Sequence, residues 1–316
     1  MRWIDREEVA RRLTYEACLP IVREAMIALS RGETLQLLRS ILPLSEGRMF
    51  GVMPGAMGAQ AAFGAKLISV FEGNFALGVP SHQGVVVLFD AVSGAAVCVV
   101  DAGEITARRT AAASAVATDV LARKDARTLA LLGYGEQAAT HARAMMLVRK
   151  VASVTVWGRR LEKAREFAER MEVELGAEWG VEVRAVETVR EAVAEADVVC
   201  TLTGAAEPIL RGEWVRAGTH VNVVGSSHAG PAEVDDELVR RSRFVVDSRA
   251  SVLAQGAEFL RAKAAGVVGD EHIVAEIGEV LAGDVVGRRS EEEITVYKSL
   301  GHVVQDLACA WALYQG

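Results

Sequence analysis

The sequence predicts an α/β fold in which a doubly wound parallel sheet is joined to a second, mixed α+β domain. From Arg127 onward, short apolar runs alternate with helical patterns, as in parallel strands connected by helices. Between Leu35 and Val100, short runs of Val, Ile, Leu and Phe are separated by Gly, Pro, Asn and Ser, which predicts strands and turns of a mixed sheet. With 316 residues, the chain has enough length for two domains.

Helical segments flank and connect these domains. Apolar positions at helical spacing predict a pair of helices between Asp5 and about Ser30. The Ala-rich stretch from Thr106 to Arg123 predicts a helix that bridges the domains. The amphipathic segment from His302 to Tyr314 predicts a last helix that returns to the first domain. The predicted domains are therefore residues 1–118 with residues 299–316, and residues 119–298.

Composition and charge exclude several classes of protein. Hydrophobic residues make up 51% of the chain and charged residues 24%, as in a packed globular protein. The 35 basic and 42 acidic residues give a net charge of −7 without a long basic run, so nucleic acid is not an expected partner. No apolar run approaches the roughly 20 residues that cross a bilayer, and the N-terminus lacks a secretory signal pattern. We expect no membrane association.

The cysteines indicate a reducing compartment. Cys18, Cys98, Cys200 and Cys309 are far apart in the sequence, with no CxxC pair and no His at metal-ligand spacing. We expect each to be a small buried apolar residue, and we expect no metal site. Four free thiols are typical of a cytoplasmic protein.

The sharpest local motif is Gly133-Tyr134-Gly135-Glu136-Gln137-Ala138, which lies between a predicted strand and a predicted helix. In the spacing G-x-G-x-x-A, the first glycine permits a tight turn and the second lets a pyrophosphate approach the backbone. Ala138 lets helix and strand pack closely, and the helix N-terminus attracts phosphate. Together with the following strand, the motif predicts a Rossmann-type domain that binds NAD(P), and hence an oxidoreductase.

The strand VTVWG, which follows this helix, continues into Arg159 and Arg160. An Asp or Glu at this place would bind the ribose 2′-hydroxyl of NAD, whereas two cations suit the 2′-phosphate of NADP. We therefore predict that NADPH is preferred over NADH. The alternative is that both arginines begin the next helix in solvent.

A helix that begins at Thr106 has Arg108 and Arg109 in its first turn, where the helix dipole disfavours cations. A bound anion would reverse this penalty, which makes Arg109 a candidate anion-binding residue. Glu104 is the alternative partner for one of the two arginines.

Five segments then form a pattern along essentially the whole chain: Gly64-Ala65-Lys66-Leu67, Pro80-Ser81-His82-Gln83, Arg109-Thr110-Ala111-Ala112, the Gly133 turn and Lys298-Ser299-Leu300-Gly301. Together they resemble the ornithine cyclodeaminase/mu-crystallin family. The resemblance implies a homodimer whose N-terminal domain binds substrate, mediates dimerisation and is completed by the C-terminal helix. It also implies a substrate site between the domains.

Two residues match the family's substrate-binding positions. Arg39 matches the arginine that holds the substrate carboxylate, for which a guanidinium offers a rigid two-pronged set of donors. Lys66 matches a lysine beside the reacting carbon, where an ammonium can polarise or protonate substrate. Without the resemblance, a surface ion pair would be the better interpretation of each.

Further residues match positions around the cofactor and the substrate. Ser81, His82 and Arg109 match contacts to the nicotinamide end or the phosphates, although His82 also suits an ordinary capping role in a Pro-Ser turn. Ser299 and Leu300 match residues near the substrate. The implied cofactor-binding set is completed by Gly133, Gly135, Glu136, Gln137, Arg159, Arg160, Thr201, Thr203, Val224, Gly225 and Ser226.

One position departs from the family pattern. Cyclodeaminases carry an aspartate that resembles a general base after the strand HVNVVG, but here the aligned residue is about Ser227. A serine cannot take up a proton near neutral pH without an adjacent base. His228 is either a substitute for the aspartate or a solvated loop residue.

The missing carboxylate favours a reaction that keeps only hydride transfer. We predict a NADPH-dependent reductase of proline metabolism that acts on cyclic ketimines, converting Δ1-pyrroline-2-carboxylate or Δ1-piperideine-2-carboxylate into L-proline or L-pipecolate. Arg39 would hold the carboxylate, and Lys66 or a water would supply the proton.

Three alternatives remain open at this point. The first is ornithine cyclodeaminase itself, with NAD+ regenerated in each cycle and ammonia released. The second is an amino-acid dehydrogenase, for example one acting on alanine. The third is a non-catalytic protein that binds NADPH and a small ligand, which is disfavoured because both Arg39 and Lys66 are present.

Overall fold

The computed structural model describes residues 1–58 and 63–316 of the chain. Two compact units are present. The first is formed by Met1–Ala112 with Gly301–Gly316, and the second by Ala113–Leu300. One unit contains a mixed sheet and the other a parallel sheet, so the predicted α/β class is confirmed.

The first unit begins with helices and continues as a sheet. Its elements, as far as the bridging helix, are β1 (Arg2–Ile4), α1 (Arg6–Arg12), α2 (Tyr15–Ser30), β2 (Leu35–Gln36), β3 (Ser40–Ser45), β4 (Arg48–Ala56), β5 (Phe63–Phe71), β6 (His82–Phe89), β7 (Ala96–Asp101) and α3 (Ala102–Leu121). The two predicted N-terminal helices are α1 and α2. The side chains of Asp5 and Thr14 cap them by accepting from Glu8 N and Ala17 N.

In the described part of the first unit, seven strands form one sheet in the order β1-β7-β6-β5-β4-β2, with β3 also paired to β4. The β1–β7 pair is parallel and the other pairs are antiparallel. In this register, Lys66 on β5 lies opposite Met53 on β4 and Val86 on β6. Lys66 therefore occupies a central strand of this sheet.

The second unit contains β8 (Thr128–Leu132), α4 (Glu136–Met146), β9 (Ser153–Trp157), α5 (Leu161–Trp179), β10 (Glu182–Ala185), α6 (Val189–Val193), β11 (Val198–Thr201), β12 (His220–Val223), α7 (Asp236–Arg241), β13 (Arg243–Val246), α8 (Arg249–Gln255), α9 (Ala257–Ala264), β14 (Ile273–Glu276), α10 (Ile277–Ala282) and β15 (Thr295–Lys298). The chain ends in α11 (Val303–Gln315), which belongs to the first unit.

All eight strands that the structure describes in the second unit are parallel, in the order β10-β9-β8-β11-β12-β15-β13-β14. The five central strands β8, β11, β12, β15 and β13 are buried on both faces, as their continuous apolar runs predict. Because parallel strands end at the same edge, the segments after β8, β11, β12 and β15 come together there. That edge contains most of the predicted cofactor residues.

Helix α11 packs on α2 and on strands β4 to β6 within the first unit. Two glycines of the sheet permit this close approach. A Cβ at Gly55 would lie 2.6 Å from Val303 Cγ1, and one at Gly64 would lie 3.3 Å from Leu307 Cδ2. The absence of side chains at these positions therefore brings the first turns of α11 against the sheet.

The predicted start of the Ala-rich helix is wrong. Helix α3 begins at Ala102, four residues before Thr106, because Asp101 Oδ1 accepts a hydrogen bond from Glu104 N at 2.8 Å and ends the strand there. Arg108 and Arg109 consequently lie beyond the first turn, and the helix dipole exerts little effect on them.

Among the described residues, no helix is both long and apolar enough to cross a membrane. All four cysteines are buried and free, as predicted. Cys18 on α2 and Cys309 on α11 nevertheless lie close together, with their Sγ atoms 3.7 Å apart.

Candidate active site and cofactor-binding edge

The first unit places Lys66 in a buried ion pair. Lys66 Nζ lies 2.9 Å from Asp306 Oδ1 and donates to Thr106 Oγ1 at 2.6 Å. The side chain of Lys66 is 2% exposed and that of Asp306 is fully buried, so the interpretation of Lys66 as a surface ion pair is wrong. These contacts join β5, α3 and α11 at one charged group.

Arg109 contacts the same carboxylate atom. Its Nε lies 3.1 Å from Asp306 Oδ1, and its Nη1 donates to Gln305 Oε1 at 2.9 Å. Glu104 pairs instead with Arg108, at 2.7 Å. Glu104 therefore neutralises Arg108, whereas Arg109 shares the carboxylate of Asp306 with Lys66.

The third cation, Arg39, lies between β2 and β3 and donates to the carbonyl of Gly301 at 3.0 Å. Gly301 has φ +81, and a Cβ there would lie 2.7 Å from Arg109 Nη1. A glycine is thus required by both the backbone conformation and the room that Arg109 occupies. Next to it, His302 Nδ1 lies 2.6 Å from Gln36 Nε2.

The charges of this cluster perturb one another. Burial lowers the pKa of Lys66 to about 8, and the charges of Arg109 and Arg39 act in the same direction, against the effect of Asp306. Burial alone would raise the pKa of Asp306, but Arg109 and Lys66 hold it below its ordinary value. The cluster thus combines a stable carboxylate with an ammonium that can release its proton at mildly alkaline pH.

Ser81 and His82 lie at the start of β6, and Ser81 Oγ is 3.0 Å from His82 Nδ1. The pKa of His82 lies below its ordinary value, because the surrounding protein limits hydration and Lys66, Arg109 and Arg39 disfavour a further positive charge. The side chain is exposed, and the lowered pKa favours its neutral imidazole form. His82 begins a strand and caps no helix.

In the second unit, the Gly133 turn has the geometry that its sequence predicts. Gly133 has φ +136, and a Cβ there would lie 2.7 Å from the carbonyl oxygen of Leu202. Gly135 is the N-cap of α4 and supplies no side-chain cap, while Ala138 is fully buried against the sheet. The first N–H groups of α4 therefore have no capping side chain, and a phosphate is a suitable partner for them.

Glu136 is exposed and Gln137 is half-buried at the start of α4. Gln137 Oε1 is buried without a hydrogen-bond partner among the described residues. The backbone carbonyl of Gln137 accepts from Thr140 Oγ1 and lies 2.7 Å from His141 Nδ1, and His141 Nε2 lies 2.9 Å from Ser114 Oγ. Thr140 and His141 thus hold the backbone carbonyl of Gln137 in place. The side-chain oxygen of Gln137 remains available to accept a hydrogen bond from a ligand.

Arg159 and Arg160 are exposed just beyond β9, and Arg160 is the N-cap of α5. In the described part of the chain, neither forms an ion pair with a carboxylate. Before them, Gly158 lies under Tyr134, whose ring a Cβ would meet at 2.1 Å. The Gly133 turn therefore contacts the end of β9, next to the two arginines.

A buried glutamate that the sequence analysis missed holds the neighbouring segments. Glu233 accepts hydrogen bonds from Thr201 Oγ1 at 2.6 Å, Thr203 Oγ1 at 2.7 Å, Thr203 N at 2.6 Å and Gly225 N at 2.7 Å. Burial raises its pKa, against the effect of these donors. One carboxylate thus fixes the end of β11 and the segments that follow β11 and β12, where the predicted cofactor residues Thr201, Thr203 and Gly225 lie.

A second buried pair supports the same edge. Lys298 Nζ lies 2.7 Å from Glu258 Oε2 and donates to both the carbonyl and the Oγ of Ser226. Glu258 Oε1 accepts from Ser226 Oγ at 2.5 Å. The hydroxyl and the carbonyl of Ser226 are therefore engaged in structural contacts, whereas Ser227 and His228 are half-buried in the following loop.

Ser299 and Leu300 are buried immediately after β15. Ser299 N donates to the carbonyl of Val223, and Leu300 N donates to Asp247 Oδ2 at 2.5 Å. No sequence motif predicted a role for four of the residues described above, namely Asp306, Gln305, Glu233 and Glu258. For Asp306, the only signal was an acid within an otherwise apolar helix.

A model of the ornithine cyclodeaminase/mu-crystallin family matches residues 3–316 of the chain. Ketimine reductase mu-crystallin from Mus musculus is 38% identical over 317 residues, which cover 99% of this chain and 96% of the mouse protein. The similarity therefore includes both units.

Two solved structures are similar along the full chain. Thermococcus litoralis Δ1-pyrroline-2-carboxylate reductase, in complex with NADH and L-proline, has a TM-score of 0.95 and 34% identity, with 100% of this chain and 97% of that chain covered. An archaeal alanine dehydrogenase dimer with bound NAD has a TM-score of 0.90 and 30% identity, with 100% and 95% covered.

Proposed function

The chain belongs to the ornithine cyclodeaminase/mu-crystallin family, and from this premise we propose that it reduces cyclic ketimines with a nicotinamide cofactor. It is an oxidoreductase acting on C=N bonds, as the sequence predicts, and its mouse and Thermococcus relatives are both named as reductases of this kind. The substrates that fit are Δ1-pyrroline-2-carboxylate and Δ1-piperideine-2-carboxylate, with L-proline and L-pipecolate as products. This assigns the protein to proline metabolism.

One observation carries the proposal: three cations and one carboxylate are grouped in the first unit. Arg39, Lys66 and Arg109 outnumber Asp306, so the cluster has excess positive charge and suits a carboxylate-bearing substrate. Arg39 binds the substrate carboxylate as the family resemblance implies. The first unit is accordingly the substrate-binding and dimerisation domain.

Reduction adds a hydride to the C=N carbon and a proton to the nitrogen. When bound, the reduced nicotinamide supplies the hydride. Lys66 holds a proton at Nζ and, since its pKa is lowered to about 8, can deliver that proton or stabilise charge without a large energetic cost. Ser299 and Leu300 line the substrate, and Ser81, His82 and Arg109 orient the nicotinamide end or the phosphates.

The second unit is the nucleotide-binding domain, and the residues present fit a dinucleotide. The uncapped start of α4 offers backbone N–H donors for a pyrophosphate, and the buried, unpartnered Gln137 Oε1 is an acceptor for a hydroxyl group of the cofactor. We propose that Arg159 and Arg160 bind a 2′-phosphate and so make NADPH the preferred cofactor. The Thermococcus relative was solved with NADH, so the affinities of this protein for NADPH and NADH should be compared directly.

We further propose a homodimer. Strands β2 and β3 and the residues between them expose an apolar run in the first unit, in which Leu37 is 72% and Leu42 59% exposed. Such a row on a peripheral strand is suited to burial against a second copy of the chain. The archaeal alanine dehydrogenase relative is a dimer. Four free cysteines support a cytoplasmic location.

Alanine dehydrogenase is the second candidate, since the archaeal relative has this name and oxidation of an amino acid also passes through an imine. Cyclodeaminase is disfavoured because Ser227 stands where a carboxylate base is needed. Glu233 and Glu258 do not replace that base, because each already accepts structural hydrogen bonds.

The deciding experiment follows NADPH absorbance with purified protein and Δ1-pyrroline-2-carboxylate. Rapid loss of NADPH is expected. Pyruvate with ammonia tests alanine dehydrogenase, and ornithine with NAD+ tests the cyclodeaminase by ammonia release. Conversion of ornithine to proline without added reductant would overturn the reductase assignment.

A further inference from the structure

On the basis of the reductase function proposed above, we propose that Asp306 is a positioning residue that holds Lys66 and Arg109 in their working arrangement through a single carboxylate oxygen. Oδ1 lies 2.9 Å from Lys66 Nζ and 3.1 Å from Arg109 Nε. The separation between the two cations is thereby set by one atom of α11. Without it, no carboxylate among the described residues pairs with Lys66.

The electrostatics of the cluster make this carboxylate necessary. Lys66 and Arg109 are both buried, and Arg39 contributes a third positive charge. Buried cations without a counter-charge repel each other and carry a large desolvation cost. Asp306 is the group that keeps Lys66 protonated in this surrounding, because burial, Arg109 and Arg39 all favour loss of its proton.

The fold supports a fixed position for Asp306. It lies in the first turn of α11, where the helix dipole favours a negative charge. The close packing of Val303 and Leu307 on Gly55 and Gly64 restrains that turn on both sides of Asp306. The carboxylate is therefore delivered by a rigid element rather than by a loop.

Replacing Asp306 by asparagine removes the negative charge and keeps the size and shape of the side chain. Asp306 Oδ2 is buried and accepts no hydrogen bond from the described residues. In Asp306→Asn, the amide oxygen can still accept from Lys66 and Arg109, and the amide nitrogen displaces no donor. The variant removes the negative charge while it retains the acceptor, which makes it the appropriate test.

The experiment compares wild type, Asp306→Asn and the matched control Gln305→Leu, which loses a partner of Arg109 but none of Lys66. The readouts are the pH profile of kcat/KM for Δ1-pyrroline-2-carboxylate, NADPH affinity, and the pH titration of Lys66 followed by NMR of 15N-labelled lysine. Arg39, Arg109, Asp306 and His82 are the charged or titratable groups that act on Lys66 or its neighbours.

In Asp306→Asn, we expect the alkaline limb of the profile and the Lys66 titration to move together to lower pH by about one unit, with kcat reduced about 10-fold. NADPH affinity should fall as well, because Asp306 also holds Arg109, which is proposed to contact the cofactor. Gln305→Leu should leave the alkaline limb of the kcat/KM profile at its wild-type pH. An unchanged limb and an unchanged Lys66 titration in a folded Asp306→Asn protein would overturn the proposal.

Two further outcomes are informative. If wild type reduces no ketimine, the proposed function fails, while the Lys66 titration still tests Asp306. If Asp306→Asn does not fold, Asp306→Glu provides the second test, because it keeps the negative charge but moves the carboxylate away from the position of Oδ1 between Lys66 and Arg109. The pH titration of Lys66 should then shift and kcat should fall, and a folded Asp306→Glu protein with wild-type titration and kcat would refute the positioning role.

Discussion

Lys66 Nζ lies 2.9 Å from Asp306 Oδ1, although 240 residues separate the two in the sequence. Strand β5 and helix α11 meet because Gly55 and Gly64 leave space for Val303 and Leu307. The chemistry of the cluster thus depends on packing between the middle of the first unit and the last helix of the chain.

Activity should depend on the protonated form of Lys66. Because the pKa of Lys66 is lowered to about 8, kcat/KM should be level below that pH and should fall above it. Lys66→Met should reduce kcat about 100-fold or more and abolish the fall of kcat/KM above pH 8. Stopped-flow measurement of NADPH oxidation from pH 6 to 10 checks both statements. A Lys66→Met protein with wild-type kcat would exclude a catalytic role.

The same shift predicts a change in stability with pH. Between about pH 8 and the ordinary lysine value of 10.5, the unfolded chain binds the Lys66 proton more fully than the folded protein does. Stability therefore rises across this window through the contribution of Lys66. In urea unfolding, the free energy of unfolding of wild type relative to Lys66→Met should increase as the pH rises through this window. A difference between the two proteins that does not change with pH would contradict the burial of a titrating ammonium.

The two glycines of the nucleotide turn should respond differently to alanine. In Gly133→Ala, the Cβ would meet the Leu202 carbonyl at 2.7 Å in a backbone with φ +136, so folding itself should be weakened by about 2 kcal/mol or more. In Gly135→Ala, nothing lies within 4 Å of the Cβ, and stability should be retained. NADPH affinity should nevertheless fall about 10-fold, because the second glycine lets the pyrophosphate approach.

Thermal unfolding and fluorescence titration with NADPH separate the two effects. The Gly135→Ala protein serves as the folded control for Gly133→Ala. Unchanged nucleotide affinity in Gly135→Ala would mean that the pyrophosphate does not approach this backbone.

Replacing both Arg159 and Arg160 by alanine should weaken NADPH binding about 10-fold or more while NADH binding changes little. Both side chains are exposed, so the fold should tolerate the change. Replacing both Lys163 and Arg165 by alanine, at exposed positions of the following helix α5, is a charge-matched control. Equal losses for both nucleotides, or a wild-type preference for NADH, would refute a 2′-phosphate contact.

Glu233 should stabilise the segments that follow β11 and β12 at the edge of the parallel sheet. Glu233→Ala removes the acceptor of four hydrogen bonds from Thr201, Thr203 and Gly225, and buried donors without partners cost about 3 kcal/mol or more in total. Urea unfolding should show this loss, and Glu237→Ala, at a half-buried position of α7 whose partner Arg240 is exposed, should show a much smaller one. A fully stable Glu233→Ala protein would show that the strand ends are held by other contacts.

The local patterns of the chain were sufficient for much of the fold. The strand, glycine turn and helix around Gly133 need only neighbouring residues, because a tight turn and close helix–strand packing are local requirements. The alternation of apolar runs and helices likewise predicts the parallel sheet. The start of α3 was misplaced, because the side chain of Asp101 ends a strand and begins a helix within three residues.

The sequence by itself therefore determined the fold class, the nucleotide turn and the presence of Arg39, Lys66 and Arg109, since each has a short motif or a family position. The tertiary structure alone decided that Asp306 pairs with Lys66 and that Glu233 holds Thr201, Thr203 and Gly225. Those contacts join distant segments, and a carboxylate in an apolar helix acquires its partner only when strands and helices pack. Burial then sets the pKa of Lys66, a property of the assembled charges rather than of any one residue.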